Sequence, residues 1–170
     1  MWLLWSIKES AYKYLKRNNP GLLFSPTKII IQNITYPDGL LNNNFAATTW
    51  DAVSDDAFYS GKLVFASHNL CFRSIISTQW INTAVAGDEK FEHIYWGMGS
   101  IASANYDDQS KAARALLLNK LSPFFPGDLK IERSVVGYPV ILKDNEDLSI
   151  PASLSHDGNF VAYCFNAEND

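Results

Sequence analysis

The chain has 170 residues, enough for one ordinary domain or two small halves sharing a core. Apolar residues make up 47% and charged residues 19%, which excludes a long disordered tail. The net charge of −4 is uneven: Lys8, Lys13, Lys16, Arg17 and Lys28 face Glu9 alone through residue 30, a balance of +4 that leaves −8 on the rest. A basic head on an acidic body argues against broad nucleic-acid binding and for a local anion site or an acidic partner.

Residues 2–17 follow a helical period. Leu4, Ile7, Ala11 and Leu15 fall on one face, with Glu9, Lys13 and Lys16 on another. Asn18-Asn19-Pro20-Gly21 stops this helix. Lys28 to Ile34 reads as a β-branched strand, followed by turn chemistry at Pro37-Asp38-Gly39 and Asn42-Asn43-Asn44. Lys62–Ser67 and Cys71–Val85 read as two strands around a His68-Asn69 turn, the second with room for a bulge, and Gly87-Asp88 ends that segment.

Phe91–Trp96 is a further short strand, and Gly97–Asp108 reads as a connector. Within it GMGSIA matches a dinucleotide fingerprint, but no βαβ unit surrounds it, so it is expected to be a loop. Asp107 or Asp108 caps a second helix, Gln109–Leu121, closed by Pro123. Leu129–Val136 and Gly137–Leu142 follow, then a polar turn at 143–149. The last hairpin is Ala152–Ser155, a turn at His156–Asn159, then Phe160–Phe165. The fold class is therefore α+β, with helices covering antiparallel sheets. The recurring order of helix, strand and hairpin predicts two similar half-domains, residues 1–95 and 96–170.

Cys71 and Cys164 form neither a disulfide framework nor a metal-ligand spacing. MWLLW is too short for a signal-peptide core, and no apolar run approaches the ~18 residues of a membrane span. A cytoplasmic protein with no membrane partner is expected.

Two stretches carry chemistry. In Trp5-Ser-Ile-Lys8-Glu9-Ser-Ala-Tyr-Lys13, Glu9 and Lys13 have the favourable i,i+4 orientation of a solvated ion pair. The same spacing suits a carboxylate on Mg²⁺ with lysines beside a phosphate. In Ser153-Leu-Ser155-His156-Asp157-Gly158, consecutive strand residues alternate faces and make no triad among themselves. A hairpin turn with a His at its edge is one reading; a strand end binding a phosphate is the other.

Together these stretches resemble the 4′-phosphopantetheinyl transferase family, whose hallmark helix reads W/F-x-x-K-E-x-x-x-K. Trp5, Lys8, Glu9 and Lys13 fit it at every spacing. A second family signature, a helical Arg, a G-x-P turn and S-x-S-H, is similar to Arg114, Gly137-Tyr138-Pro139 and Ser153-Leu154-Ser155-His156. The resemblance covers most of the chain apart from residues 36–60 and 88–107. In two-lobed members the S-x-S-H half comes first; here the KE helix leads, as in the short holo-acyl-carrier-protein synthases.

The resemblance implies Mg²⁺-dependent transfer of the 4′-phosphopantetheine arm of coenzyme A to a serine of an acidic acyl or peptidyl carrier protein, at a site between the halves. It makes Glu9 the metal ligand and Lys13 a neutraliser of phosphate charge. Lys8 would hold the helix or assist near the attacking hydroxyl, and Arg114, Ser155 and His156 would bind the 3′-phosphate. The family's G-x-D-I/V strand, which supplies further metal-ligating aspartates, has no match before Met1, and Asp51, Asp55 and Asp56 have the wrong flanks. A chain that begins inside the fold is expected, with a sheet edge open to homodimerisation. The alternative reading is a non-catalytic coenzyme A or carrier-protein binding module without the metal site.

Overall fold

The computed structural model describes residues 1–38 and 57–167. The turn expected around residues 39–44 and Asp51, Asp55 and Asp56 lie outside these. The described chain is α+β, and it divides into two compact units, the first ending at Glu92 and the second beginning at His93. Among the described residues no helix is long and apolar enough to cross a membrane.

The first unit is one helix on a four-stranded antiparallel meander. Helix α1 (Trp2–Asn18) precedes β1 (Ile29–Thr35), β2 (Tyr59–Phe65), β3 (His68–Ile76) and β4 (Ile81–Ala86), in sheet order β1-β2-β3-β4. The 3.6-residue period puts Ile7, Ala11 and Leu15 on one stripe, which packs on Ile29, Leu63, Phe65, Leu70, Phe72 and Val85. Each large aliphatic side chain so buried contributes about 1.5–3 kcal/mol. Leu4, expected on that stripe, is 44% exposed, and Leu3 packs against the core instead.

The sheet differs from expectation in two places. Cys71–Val85 is not one strand but two, because Ser77 turns the chain: its amide donates to Trp80 O at 2.9 Å and its Oγ accepts from Gln79 N at 3.0 Å. Ile76 then pairs with Ile81. The preceding turn is Ala66-Ser67, two residues earlier than His68-Asn69, with Phe65 opposite His68 and Ala66 at φ 55°.

The second unit holds β5 (Ile94–Ser100), α2 (Tyr106–Leu121), β6 (Leu129–Arg133), β7 (Pro139–Lys143), β8 (Glu146–Asp147), β9 (Ala152–Asp157) and β10 (Phe160–Asn166). Its two antiparallel sheets have the orders β5-β10-β9 and β6-β7-β8. Leu117 and Leu121 of α2 pack on Ile141, Ile150, Ala152, Tyr163 and Phe165.

The expected connector is partly sheet. Gly97–Ser100 completes β5, where Gly97 and Gly99 lie opposite Tyr163 and Val161. Local propensity disfavours glycine in strands, but pairing with β10, more than sixty residues on, overrides it. Phe91 and His93 adopt φ near 60°, so β5 starts only at Ile94. Helix α2 is capped by Asn105, not by Asp107 or Asp108: Asn105 Oδ1 accepts from Asp107 N at 2.9 Å. The two aspartates sit in the first turn, where the helix dipole favours them.

The strand after Pro126 also ends early, at Arg133, because Ser134–Gly137 turns with Gly137 N on Ser134 O. The polar stretch at 143–149 includes β8, joined to β7 by Asp144-Asn145, both at positive φ. In the last hairpin the turn is Gly158-Asn159 alone, so His156 belongs to strand β9.

Candidate functional site

Helix α1 presents three sides. Ile7, Ala11 and Leu15 face the core. Ser6 and Ser10 face β4: Ser6 Oγ donates to Thr83 Oγ1 at 2.9 Å and Ser10 Oγ to Thr83 O at 3.2 Å. Thr83 Oγ1 is also 2.8 Å from the hydroxyl of fully buried Ser74. Glu9 and Lys13 lie opposite the core, bridged at 3.0 Å, each with about two-fifths of its side chain exposed (43% and 40%).

The remaining side is covered by the chain that follows the helix. Lys8 Nζ donates to Pro26 O at 2.7 Å, and Lys16 Nζ to Pro20 O and to Leu22 O, the latter at 2.8 Å. Between these tethers Phe24 sits edge-on to Trp5, ring centroids 5.4 Å apart, and 5.1 Å from Tyr12. Residues 20–26 thus form a strap along α1.

The structure brings Glu9 and Lys13 together and turns Lys8 to the strap. Among the described residues no group of three or more His, Cys, Asp or Glu side chains converges. Mg²⁺ is bound by one or two carboxylates together with substrate phosphates, so the single carboxylate of Glu9 fits the ion only with phosphate oxygens completing its shell.

In the second unit, His156 lies opposite Val161 and Ser155 opposite Ala162. Paired residues share a face, so the two side chains leave β9 on opposite faces. His156 takes the α2 side, its ring edge-on to Tyr106 with centroids 5.2 Å apart. Gln109 Nε2 fastens the first turn of α2 to the hairpin by donating to Gly158 O at 2.7 Å. His156 therefore stands beside a helix N-terminus, a place that favours an anion. Arg114 lies two turns further along α2, after buried Ala113, and Ser155 is exposed.

A further feature, to which the sequence assigned no function, is a cavity of about 310 Å³ in the first unit. Lys62, Cys71, Arg73, Tyr36, Glu89 and Phe91 contribute to its lining. Lys62, Cys71 and Arg73 alternate with Leu63, Leu70 and Phe72, which pack toward α1, so the former three sit on the far face of the sheet. Lys62 is paired with Glu89, which raises its pKa through hydrogen bonding and charge. Arg73 stacks 4.7 Å from the Phe91 ring centre and donates to the carbonyls of Glu89 and Lys90. Burial, followed by the charge of Glu89, pushes the Cys71 thiol up, so it is a poor nucleophile. The strand alternation around Lys62 and Arg73 was the available signal; the long-range arrival of Glu89 and Phe91 was not legible.

No protein-family model matches this chain, and neither a curated protein nor a solved structure matches it.

Proposed function

We propose that the chain belongs to the 4′-phosphopantetheinyl transferase type and carries the arm of coenzyme A to a serine of an acidic carrier protein. The observation that carries this reading is the Trp5-x-x-Lys8-Glu9-x-x-x-Lys13 spacing on one helix, with Glu9 and Lys13 paired on its solvent side and Lys8 turned to the strap. Both units having a helix packed on antiparallel strands supports a duplicated, two-half member.

In this reading the carrier serine oxygen attacks the β-phosphate of coenzyme A, the pyrophosphate P–O bond breaks, and 3′,5′-adenosine bisphosphate and a proton leave. Mg²⁺, when bound, would supply charge neutralisation for the phosphates. Glu9 would hold the metal together with phosphate oxygens, and Lys13 would keep that carboxylate oriented and offset phosphate charge. Lys8 acts as a positioning residue, fixing the strap to the helix. His156, beside the N-terminus of α2, and Arg114 on the same helix suit a phosphate monoester such as the 3′-phosphate. Ser155 leaves β9 on the face opposite His156, so it takes no part in that phosphate site.

One observation favours the non-catalytic alternative: Glu9 is already bridged by Lys13, and among the described residues it belongs to no group of three or more His, Cys, Asp or Glu. Isothermal titration of coenzyme A with and without Mg²⁺, on the parent chain and on Glu9→Ala, separates the two. Transfer requires binding that tightens with Mg²⁺ and loses the gain in the variant, followed by a carrier protein that gains the mass of the arm. Binding indifferent to Mg²⁺ means a binding module, and no binding of coenzyme A removes the transferase and leaves only a module that binds the carrier protein.

A further inference from the structure

The strap is fastened to α1 at several points while one of its large side chains stays exposed. Lys8 and Lys16 tether the carbonyls of Pro26, Pro20 and Leu22, and Phe24 is wedged between Trp5 and Tyr12. Leu22 and Phe24 pack on the core, so Leu23 between them points outward and is 81% exposed. Across the same side of α1, Trp2 is 75% and Trp5 48% exposed. With 3.6 residues per turn, Trp2, Trp5, Glu9, Lys13 and Lys16 fall on the arc opposite Ile7, Ala11 and Leu15. Large apolar side chains held out on a pre-organised frame, with cations alongside, have the make-up of an interface centre. On that arc Lys13 and Lys16 face Glu9 alone, a balance of +1.

We infer that Trp2, Trp5 and Leu23 form a docking ledge for an acidic protein surface bearing an apolar anchor, with Lys13 and Lys16 meeting its carboxylates. This rests on the reading above, in which that acidic partner is the carrier protein. Because Glu9 shares the arc, a partner seated on the ledge brings its surface to the carboxylate that reading assigns to the metal. Charge complementarity decides for an acidic protein over a neutral one, and it makes association fall with added salt.

The test uses the full chain with Leu23→Glu and Trp2→Ser, and Val135→Glu as a control at an exposed apolar residue of the second unit. Anisotropy of a labelled apo acyl carrier protein and the KM for that protein are read beside the KM for coenzyme A. The ledge predicts that either variant weakens carrier binding and raises its KM about tenfold, a loss of about 1.4 kcal/mol, with coenzyme A unaffected, the melting temperature kept and Val135→Glu silent. An unchanged carrier KM in a chain that does transfer the arm overturns the ledge and leaves the function standing. A parent chain that neither transfers the arm nor binds coenzyme A overturns both. If Leu23→Glu instead abolishes self-association or binding to anionic vesicles while carrier binding persists, the occupant is a second copy or a lipid surface and the inference falls.

Discussion

Lys8 and Pro26 are joined by a 2.7 Å hydrogen bond from the ammonium to a backbone carbonyl eighteen residues on, while the adjacent Glu9 turns away to Lys13. Neighbouring residues in one motif thus do different work. Lys8 ties α1 to the strap, and Glu9 and Lys13 remain available to solvent and ligand.

Lys8→Met keeps the side-chain length and removes the donor. It is expected to cost about 1 kcal/mol of unfolding free energy, with a lower midpoint and unchanged slope in urea. Lys13→Met, whose partner is half exposed, is expected to cost under about 0.5 kcal/mol. Equal effects of the two would remove the structural role given to Lys8.

The hydroxyls of Ser6, Ser74 and Thr83 satisfy one another under α1. Thr83→Val strands the hydroxyl of Ser74, which is fully buried, at a cost of about 1–3 kcal/mol. Adding Ser74→Ala is expected to recover part of that loss, because the fully buried hydroxyl is then gone and only the part-buried Ser6 hydroxyl has lost its partner. A double-mutant cycle that is strictly additive would contradict the network.

Gly61 sits where β1 bulges between Ile31 and Asn33, and a Cβ there would lie 2.2 Å from Asn33 O and 2.9 Å from the Phe72 ring. The nearest atom is backbone and cannot swing aside. Gly61→Ala is expected to destabilise the first unit by roughly 1–3 kcal/mol, read by thermal or urea unfolding. A neutral result would mean that the bulge closes elsewhere.

Cys164 keeps part of its surface open to solvent, yet the desolvating surroundings of its thiol push it from 9.0 up to about 12. Between those values the native state keeps a proton that the unfolded chain has lost, so this contribution is full below pH 9 and is lost as pH rises toward 12. Comparing unfolding midpoints of the parent and Cys164→Ala across pH 8–11 isolates it from other alkaline titrations. The difference between the two should shrink as pH rises, and a constant difference would refute the raised thiol.

Much of this was legible in short windows of sequence. Helices α1 and α2 follow from apolar residues at helical spacing, and Ile7, Ala11 and Leu15 were readable as the buried stripe because a helix's faces are set by residues three and four apart. The Glu9–Lys13 bridge is local for the same reason. The strand content of the last hairpin followed from its apolar alternation, although β9 runs on through His156 to Asp157.

Tertiary structure decided the rest, wherever a residue's environment came from distant chain. Gly97 and Gly99 became strand only because β10 pairs with them. Cys71–Val85 broke into two strands at Ser77, a small hydroxyl residue in an otherwise strand-like run. Ser155 and His156 look like one unit in sequence, yet the pleat sends them to opposite faces and gives His156 alone to Tyr106. The spacing of Lys8 from Glu9 was written in the chain; that Lys8 serves the strap depended on residues 20–26 folding back along α1, which no local pattern encodes.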